Sequence, residues 1–304
     1  MISVLMSTYN EPLSYIRLSV ESILKQSYED IEFIIVVDNP ENKKLIALLN
    51  DYSVIDSRII ILINEKNMGL TQSLNRALYH AKGDYIARMD ADDISECERL
   101  KKQIKFLEKK GLDLVGCNIQ NIDILGNQIS SISVFPETNE IAIKYACFDS
   151  PVPHPTWLVK KEVYDSLMGY QDIDACEDYD FLVRALLKGF KLGNIQEPLL
   201  NYRINVNGIS ATKKTNQKLA LSIIRDNYKI GKETSEQEYF EFIDSKKGRE
   251  KQKELDDYYK KTTKLKTMSA NKFKSLLYKI YIFVTCKEGR QIVFNLLNEK
   301  ILLR

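Results

Sequence analysis

The stretch that most limits how this chain can fold is Ile31-Glu32-Phe33-Ile34-Ile35-Val36-Val37, seven residues with one charge and mostly β-branched side chains. Such a run is a strand buried on both faces, the pattern of a parallel sheet covered by helices on either side. Its neighbours agree. Ile2 to Ser7 is a short apolar run ending in polar Thr8-Tyr9-Asn10-Glu11-Pro12, and Ile16, Val20, Ile23 and Leu24 then recur at helical spacing. Beyond Val37 come Asp38-Asn39-Pro40, a helical pattern from Asn42 to Tyr52, and a third strand from Arg58 to Ile63. These are linked β-α-β units, so ligands are expected beyond the carboxyl ends of the strands.

Lys66-Asn67-Met68-Gly69 reads as a turn, Leu70 to Ala81 as a helix through Leu74, Ala77 and Leu78, and Gly83 as its end. A fourth strand, Asp84-Tyr85-Ile86-Ala87, delivers Arg88-Met89-Asp90-Ala91-Asp92-Asp93. Three carboxylates within four residues repel one another unless a cation sits on them, and a hard divalent ion with oxygen ligands suits them. Alone, the string reads first as an acidic turn capping a helix that begins near Ser95 or Glu96. Its context favours a ligand site, because four strand ends then carry Tyr9-Asn10-Glu11, Asp38, Lys66-Asn67 and Asp90 to Asp93 to one edge. Asp38 alone could equally be a turn residue closing its strand.

Further on, Glu98 to Lys110 is an amphipathic helix, Asp113 to Cys117 a strand, and Asn118 to Phe135 an antiparallel hairpin around Leu125-Gly126-Asn127. The sheet is therefore expected to be mixed, parallel in its first half. Pro151-Val152-Pro153-His154-Pro155-Thr156 is expected to be extended and helix-free, because a residue before proline avoids the α region. His154 is open to a ligand or acceptor contact or to a spacer role, whereas His80 is expected to be solvated. Cys176-Glu177-Asp178-Tyr179-Asp180 opens a helix, where the acids either complement the helix dipole or place a general base in the cleft.

In order and content, Val4 to Glu11, Val36-Val37-Asp38, Asn67-Met68-Gly69, Gly83 to Ile86, Met89 to Asp93 and Glu177-Asp178 resemble the inverting glycosyltransferases of family 2, including those of bacterial surface polysaccharides. The resemblance covers about residues 1 to 205. It implies an α/β GT-A fold, a Rossmann-like mixed sheet flanked by helices that binds a nucleotide-diphospho-sugar. It also implies roles. Thr8, Tyr9, Glu11 and Asp38 would form the nucleotide pocket, Asp38 accepting from the base; Lys66 and Asn67 would approach the nucleotide or diphosphate. Asp90 would contact ribose or a water, Asp92 would bind Mn²⁺ or Mg²⁺, Asp93 would support the site, and Asp178 would be the catalytic base. Glu177 and His154 stand as weaker acceptor-side or supporting candidates. Where family members commonly read V-D-D-G-S, this chain has Val37-Asp38-Asn39-Pro40, so the second acid is missing and the nucleotide contacts there are open. The implied reaction is a single displacement moving a hexose or N-acetylhexosamine from a uridine diphosphate sugar to a hydroxyl of a lipid-linked saccharide. The competing readings are a nucleotidyltransferase-like enzyme, which would want a Gly-rich basic loop where Ser7-Thr8-Tyr9-Asn10-Glu11 stands, and a non-catalytic nucleotide-sugar binder on the same fold.

Charge divides the chain. Residues 1 to 210 hold 22 Lys+Arg and 30 Asp+Glu, and residues 211 to 304 hold 22 and 12, so net charges of −8 and +10 underlie the overall +2. We expect a catalytic domain over 1–210 and a helical, basic extension over 211–304. Within the extension, residues 264–304 place Phe273, Leu276, Leu277, Ile280 and Val284 at helical spacing among lysines. That pattern suits an anionic membrane surface, or else docking on the protein's own core or a second subunit in a homodimer. The charge excess is modest and stands beside no nucleic-acid-binding motif, so nucleic acid is not an expected partner. The five cysteines are scattered without C-x-x-C spacing and are expected to be reduced thiols. No long uncharged apolar run and no signal-peptide pattern is present, and the expected location is cytoplasmic, on the inner face of the cell membrane if residues 264–304 bind lipid.

Overall fold

The computed structural model describes residues 1–129, 132–205, 212–267, 282, 283, 285 and 287–303. The first half alternates strand and helix: β1 (Ile2–Thr8), α1 (Leu13–Leu24), β2 (Ile31–Val37), α2 (Lys43–Ile55), β3 (Ile59–Ile63), α3 (Leu70–His80) and β4 (Tyr85–Arg88). β5 (Ile94–Ser95), α4 (Arg99–Lys110), β6 (Leu114–Ile122), α5 (Asn139–Tyr145), β7 (Leu158–Lys160), α6 (Lys161–Leu167), α7 (Glu177–Leu187) and β8 (Leu192–Arg203) complete the layer. One eight-stranded sheet has the order β3-β2-β1-β4-β7-β6-β8-β5. β1 to β4 are mutually parallel, β7 is antiparallel to β4 and β6, and β8 is parallel to β6. The sheet is thus mixed, and the carboxyl ends of β1, β2, β3, β4, β6 and β8 share one edge.

Every residue of β2 is buried, because helices cover both faces. Val4, Met6, Phe33 and Ile35 face α1, α2 and α4 through Ile16, Val20, Ile23, Leu45, Leu49 and Leu100. On the other face Leu5, Ile34 and Val36 meet α3, α6 and α7 through Leu74, Ala77, Val163, Phe181 and Leu182. Each fully buried aliphatic side chain contributes about 1.5–3 kcal/mol, which makes this half a rigid platform for its loops.

Three local expectations are corrected. The hairpin over 118–135 is not a pair of full strands: β6 takes β8 as its parallel partner, and among the described residues the return arm makes isolated antiparallel bridges, Ile119 to Ser133 and Ile122 to Gln128. Asp123 closes the intervening turn by accepting from the backbone N–H groups of Leu125 and Asn127 at 2.8 and 2.9 Å. The proline-rich segment is not helix-free, since His154–Thr156 forms one 3₁₀ turn with proline in its first turn, a position where the missing N–H costs nothing. The helix after the acidic cluster starts at Arg99, and β5 separates the two; the carboxylates therefore do not cap it.

Beyond β8 lie α8 (Lys214–Tyr228), α9 (Glu236–Asp244), α10 (Lys246–Thr267) and α11 (Lys287–Leu302). α8 and α9 pack on α7 and the loop before it: Ala220, Leu221, Ile224 and Tyr239 share a buried cluster with Ile173, Cys176, Tyr179 and Val183. The lipid-facing pattern expected through Phe273, Leu276, Leu277, Ile280 and Val284 lies outside the described residues. α11 exposes Phe294, Leu296, Leu297 and Ile301. Among the described residues no helix is long and apolar enough to cross a membrane, and Cys97, Cys117, Cys147 and Cys176 are free thiols.

Candidate active site

At the end of β1, Glu11 folds back on the strand: one carboxylate oxygen accepts from the Thr8 hydroxyl at 2.7 Å and from the Tyr9 N–H at 2.8 Å. This leaves the Tyr9 ring 42% exposed at the strand edge. At the end of β2, Asp38 is almost fully buried. Its Oδ1 accepts from Asn64 Nδ2 at 2.6 Å and the Met68 N–H at 2.7 Å, and its Oδ2 from the Gly69 N–H at 2.9 Å. Gly69 adopts φ +85°, which glycine reaches without the steric cost of a side chain. Asp38 therefore shapes the loop after β3, and Oδ2, with one donor, can accept a second. Lys66 and Asn67 stand exposed on that loop, with Asn67 Oδ1 accepting from the Gly69 N–H at 3.1 Å.

At the end of β4, Arg88 is buried and pairs with Asp90, Nη2 to Oδ1 at 2.6 Å. Asp92 is half-buried. Burial, then the charges of Asp90 and Glu11, push its carboxyl up to about 6, so the β1 and β4 ends present one acidic surface. Asp93 differs. It is 1% exposed, and its Oδ1 accepts from the Arg203 N–H at 2.8 Å, while Oδ2 meets no donor among the described residues. Burial first, then Asp90 and Asp92, push it well above the ordinary carboxylate range. Buried and bonded to the Arg203 N–H, it anchors the end of β8.

Arg203 completes that anchor. Its Nε donates to the Asp92 carbonyl at 2.7 Å, its Nη1 to the Asp123 carbonyl at 2.9 Å, and its guanidinium lies 4.2 Å from the Tyr15 ring centroid. Sequence reasoning missed this residue, because a lone arginine at a strand end carries no local signal of acids 110 positions earlier. Arg99 was missed too; buried, it donates to the carbonyls of Pro155 at 2.8 Å and Arg88 at 3.2 Å and fixes the strand that presents Asp90.

The first turn of α7 lies within electrostatic reach of this acidic surface through Asp90. Asp178 Oδ1 accepts from the Tyr179 N–H at 2.7 Å, so the residue does serve the helix start, yet its carboxylate keeps unused acceptor capacity. Burial pushes Asp178 up to about 6, with Asp149 and Asp90 adding to the shift. Glu177 is buried and pushed up to about 8, again by burial first, then Asp178, with Asp90 adding and Arg88 opposing. Asp180 belongs to a separate interior pair with Arg184, 2.7 Å away. His154 sits in the core instead: its Nε2 lies 2.8 Å from the Tyr170 hydroxyl, its ring packs edge-on against Trp157, and burial and Arg88 hold it well below 6.5, hence neutral. It stiffens the wall behind Arg88 and has no ligand-facing geometry. His80 is exposed.

Among the described residues no group of three or more His, Cys, Asp or Glu is placed to hold a metal ion. The donors suit a different arrangement, in which a hard divalent cation takes one or two carboxylates and completes its shell with diphosphate oxygens and water. Asp92, crowded by two other acids, fits such an ion.

The model of glycosyl transferase family 2 matches residues 3–167. An O-antigen biosynthesis glycosyltransferase of Escherichia coli is 35% identical over 224 residues, 73% of this chain and 84% of that protein. Among solved structures, the mannosyltransferase of Pyrobaculum calidifontis in complex with GDP-Man and Mn²⁺ matches with a TM-score of 0.60 at 15% identity, over 99% of this chain and 86% of that one. S. aureus TarS 1-349 in complex with UDP-GlcNAc matches with a TM-score of 0.59 at 16% identity, over 100% and 81%.

Proposed function

The chain belongs to glycosyl transferase family 2, and from that premise we propose that it is a metal-dependent inverting enzyme moving a hexose or N-acetylhexosamine from a nucleotide sugar to a saccharide hydroxyl. The observation that carries the reading is the meeting of two acidic elements, Asp90 to Asp93 after β4 and Glu177-Asp178 at the start of α7, near enough for Asp90 to raise both of the latter. Transfer needs a stabilised diphosphate, a placed acceptor and a proton sink. Tyr9 and Asp38 would flank the base, and Lys66 and Asn67 the diphosphate. Asp92 would hold Mn²⁺ or Mg²⁺, which when bound would neutralise charge growing on the diphosphate as the C1–O bond breaks.

Asp178 would take the proton of the acceptor hydroxyl as its oxygen attacks C1. Half-buried, with its carboxyl pushed up to about 6, it would be ionised at neutral pH yet basic enough to help, assistance usually worth about 10² to 10⁴ in rate. Because attack and departure occur in one displacement, the anomeric centre inverts. Uridine diphosphate is the donor we favour, in line with the UDP-GlcNAc complex of a structural neighbour; GDP-mannose in the other keeps the base as the first thing to test. For the acceptor we favour a lipid-linked saccharide of surface-polysaccharide synthesis, reached at the cytoplasmic face of the membrane through residues 264–304. The test is a thermal-shift screen of UDP- and GDP-sugars with and without Mn²⁺, since a ligand bound only by the native state raises its apparent stability. A metal-dependent shift with one nucleotide class is expected; no shift with any of them refutes the donor assignment.

A further inference from the structure

The last residue of β8 grips the turn that carries the metal candidate. Arg203 is 3% exposed; its N–H donates to Asp93 Oδ1 at 2.8 Å and its Nε to the Asp92 carbonyl at 2.7 Å. One residue therefore holds two adjacent members of the acidic cluster, Asp93 through the main chain and Asp92 through the guanidinium. Nη1 donates to the Asp123 carbonyl at 2.9 Å, just past the end of β6, and the guanidinium lies 4.2 Å from the ring centroid of Tyr15 on α1. The Tyr15 hydroxyl joins these two supports by donating to the Ile124 carbonyl at 2.9 Å. Two residues beyond Arg203, Asn205 hydrogen-bonds the Asp92 carboxylate itself.

Asp90, at the other end of the turn, is held by different groups, Arg88 Nη2 on its carboxylate at 2.6 Å and Ser19 Oγ on its carbonyl at 2.8 Å. The contrast is chemical. Arg88 sets its charge against the Asp90 carboxylate, whereas Arg203 takes Asp92 by the carbonyl and leaves the charge of that carboxylate to a cation. A held carbonyl fixes ψ at Asp92, and with only two soft dihedrals per residue this narrows the directions in which the side chain can leave the turn. Lysine is no equivalent, since its single ammonium lacks the planar fork that reaches two carbonyls in fixed directions.

We infer that Arg203 is a positioning residue for the divalent cation, aiming the Asp92 carboxylate and tying that aim to the loop after β6 and to α1. The inference rests on Asp92 being the metal ligand. Groups that orient a metal ligand support affinity without touching the ion, and losing one typically costs about 10- to 100-fold in metal affinity. The loss should be confined to the ion. The Asp38 corner proposed for the base is built by Asn64, Met68 and Gly69, so metal-free nucleotide affinity should not depend on Arg203.

The experiment is calorimetric titration of UDP, and separately of GDP, into the full-length chain with saturating Mn²⁺ or with EDTA, which gives the gain in affinity that the ion confers; thermal unfolding checks folding. Arg203→Met should cut that gain by about tenfold or more and Arg203→Lys by more than about twofold, with the affinity in EDTA unchanged in both. Should Arg203→Met fail to fold, Arg203→Lys decides alone. A gain lost in Asp92→Ala but kept within about twofold of the parent in the folded Arg203 variants overturns the inference alone. Equal losses with and without Mn²⁺ mark a purely structural role and overturn it as well. A gain that survives Asp92→Ala, or is missing from the parent with both nucleotides, overturns the metal assignment and this inference with it.

Discussion

Asp38→Ala separates a ligand contact from a loop organiser. In the structure the carboxylate accepts three hydrogen bonds, from Asn64 Nδ2 at 2.6 Å, Met68 N–H at 2.7 Å and Gly69 N–H at 2.9 Å, inside a nearly buried corner. Bonds to a charged acceptor contribute about 1.5–3 kcal/mol each, and a buried donor left unpaired costs about 1–3 kcal/mol. The two backbone donors lie at the loop surface, where water can replace the carboxylate, and Asn64 Nδ2 keeps a second acceptor in Ser73 Oγ at 2.9 Å. The three terms therefore do not add in full, and we expect a loss of about 3–4 kcal/mol. Urea unfolding followed by circular dichroism measures it, and calorimetry with UDP or GDP measures binding in the same samples. Stability and binding should fall together, because the loop carrying Lys66 and Asn67 loses its anchor. A stability loss under about 1 kcal/mol with nucleotide binding abolished refutes the reasoning, leaving Asp38 a contact residue with no architectural part.

Other outcomes follow from the acids. Asp93→Asn should fold and bind donor much as the parent does, within about 1 kcal/mol by urea unfolding, since burial disfavours the Asp93 charge and an amide oxygen can take the Arg203 N–H. Asp92→Ala should fold normally but lose Mn²⁺-dependent donor binding by calorimetry. Glu177, raised from 4.5 to about 8, holds a proton in the native state that the unfolded chain releases above 4.5. Its contribution is full below 4.5 and lost as pH rises towards 8, so Glu177→Gln should remove a downward slope in stability of up to about 1.4 kcal/mol per pH unit across that window. Urea midpoints from pH 4.5 to 8 test it.

The parallel half of the sheet was legible because strands buried on both faces are apolar almost throughout, as Ile31 to Val37 is apart from Glu32, and because Asp38 and Asp90 stand just past the ends of such runs. The mixed half was less so. β6 and the segment after it look alike in alternation, and only the distant β8 decides which of them is paired along its length. Within the site, the acids could be read from the chain, but what holds them could not: Arg203 to Asp93 and Asn64 to Asp38 join residues 110 and 26 positions apart. His154 shows the converse, a residue conspicuous for its rarity that the core absorbs through Tyr170 and Trp157.

The central claim is that the start of α7 supplies the base for a donor held by the strand ends. Asp178→Asn keeps the side chain's shape and its acceptor for the Tyr179 N–H, so folding and nucleotide affinity should stay as in the parent. Turnover of the nucleotide sugar selected by the thermal-shift screen, followed as nucleotide release with acceptor present, should fall by about 10²-fold or more. Near-normal turnover with nucleotide affinity intact contradicts the account.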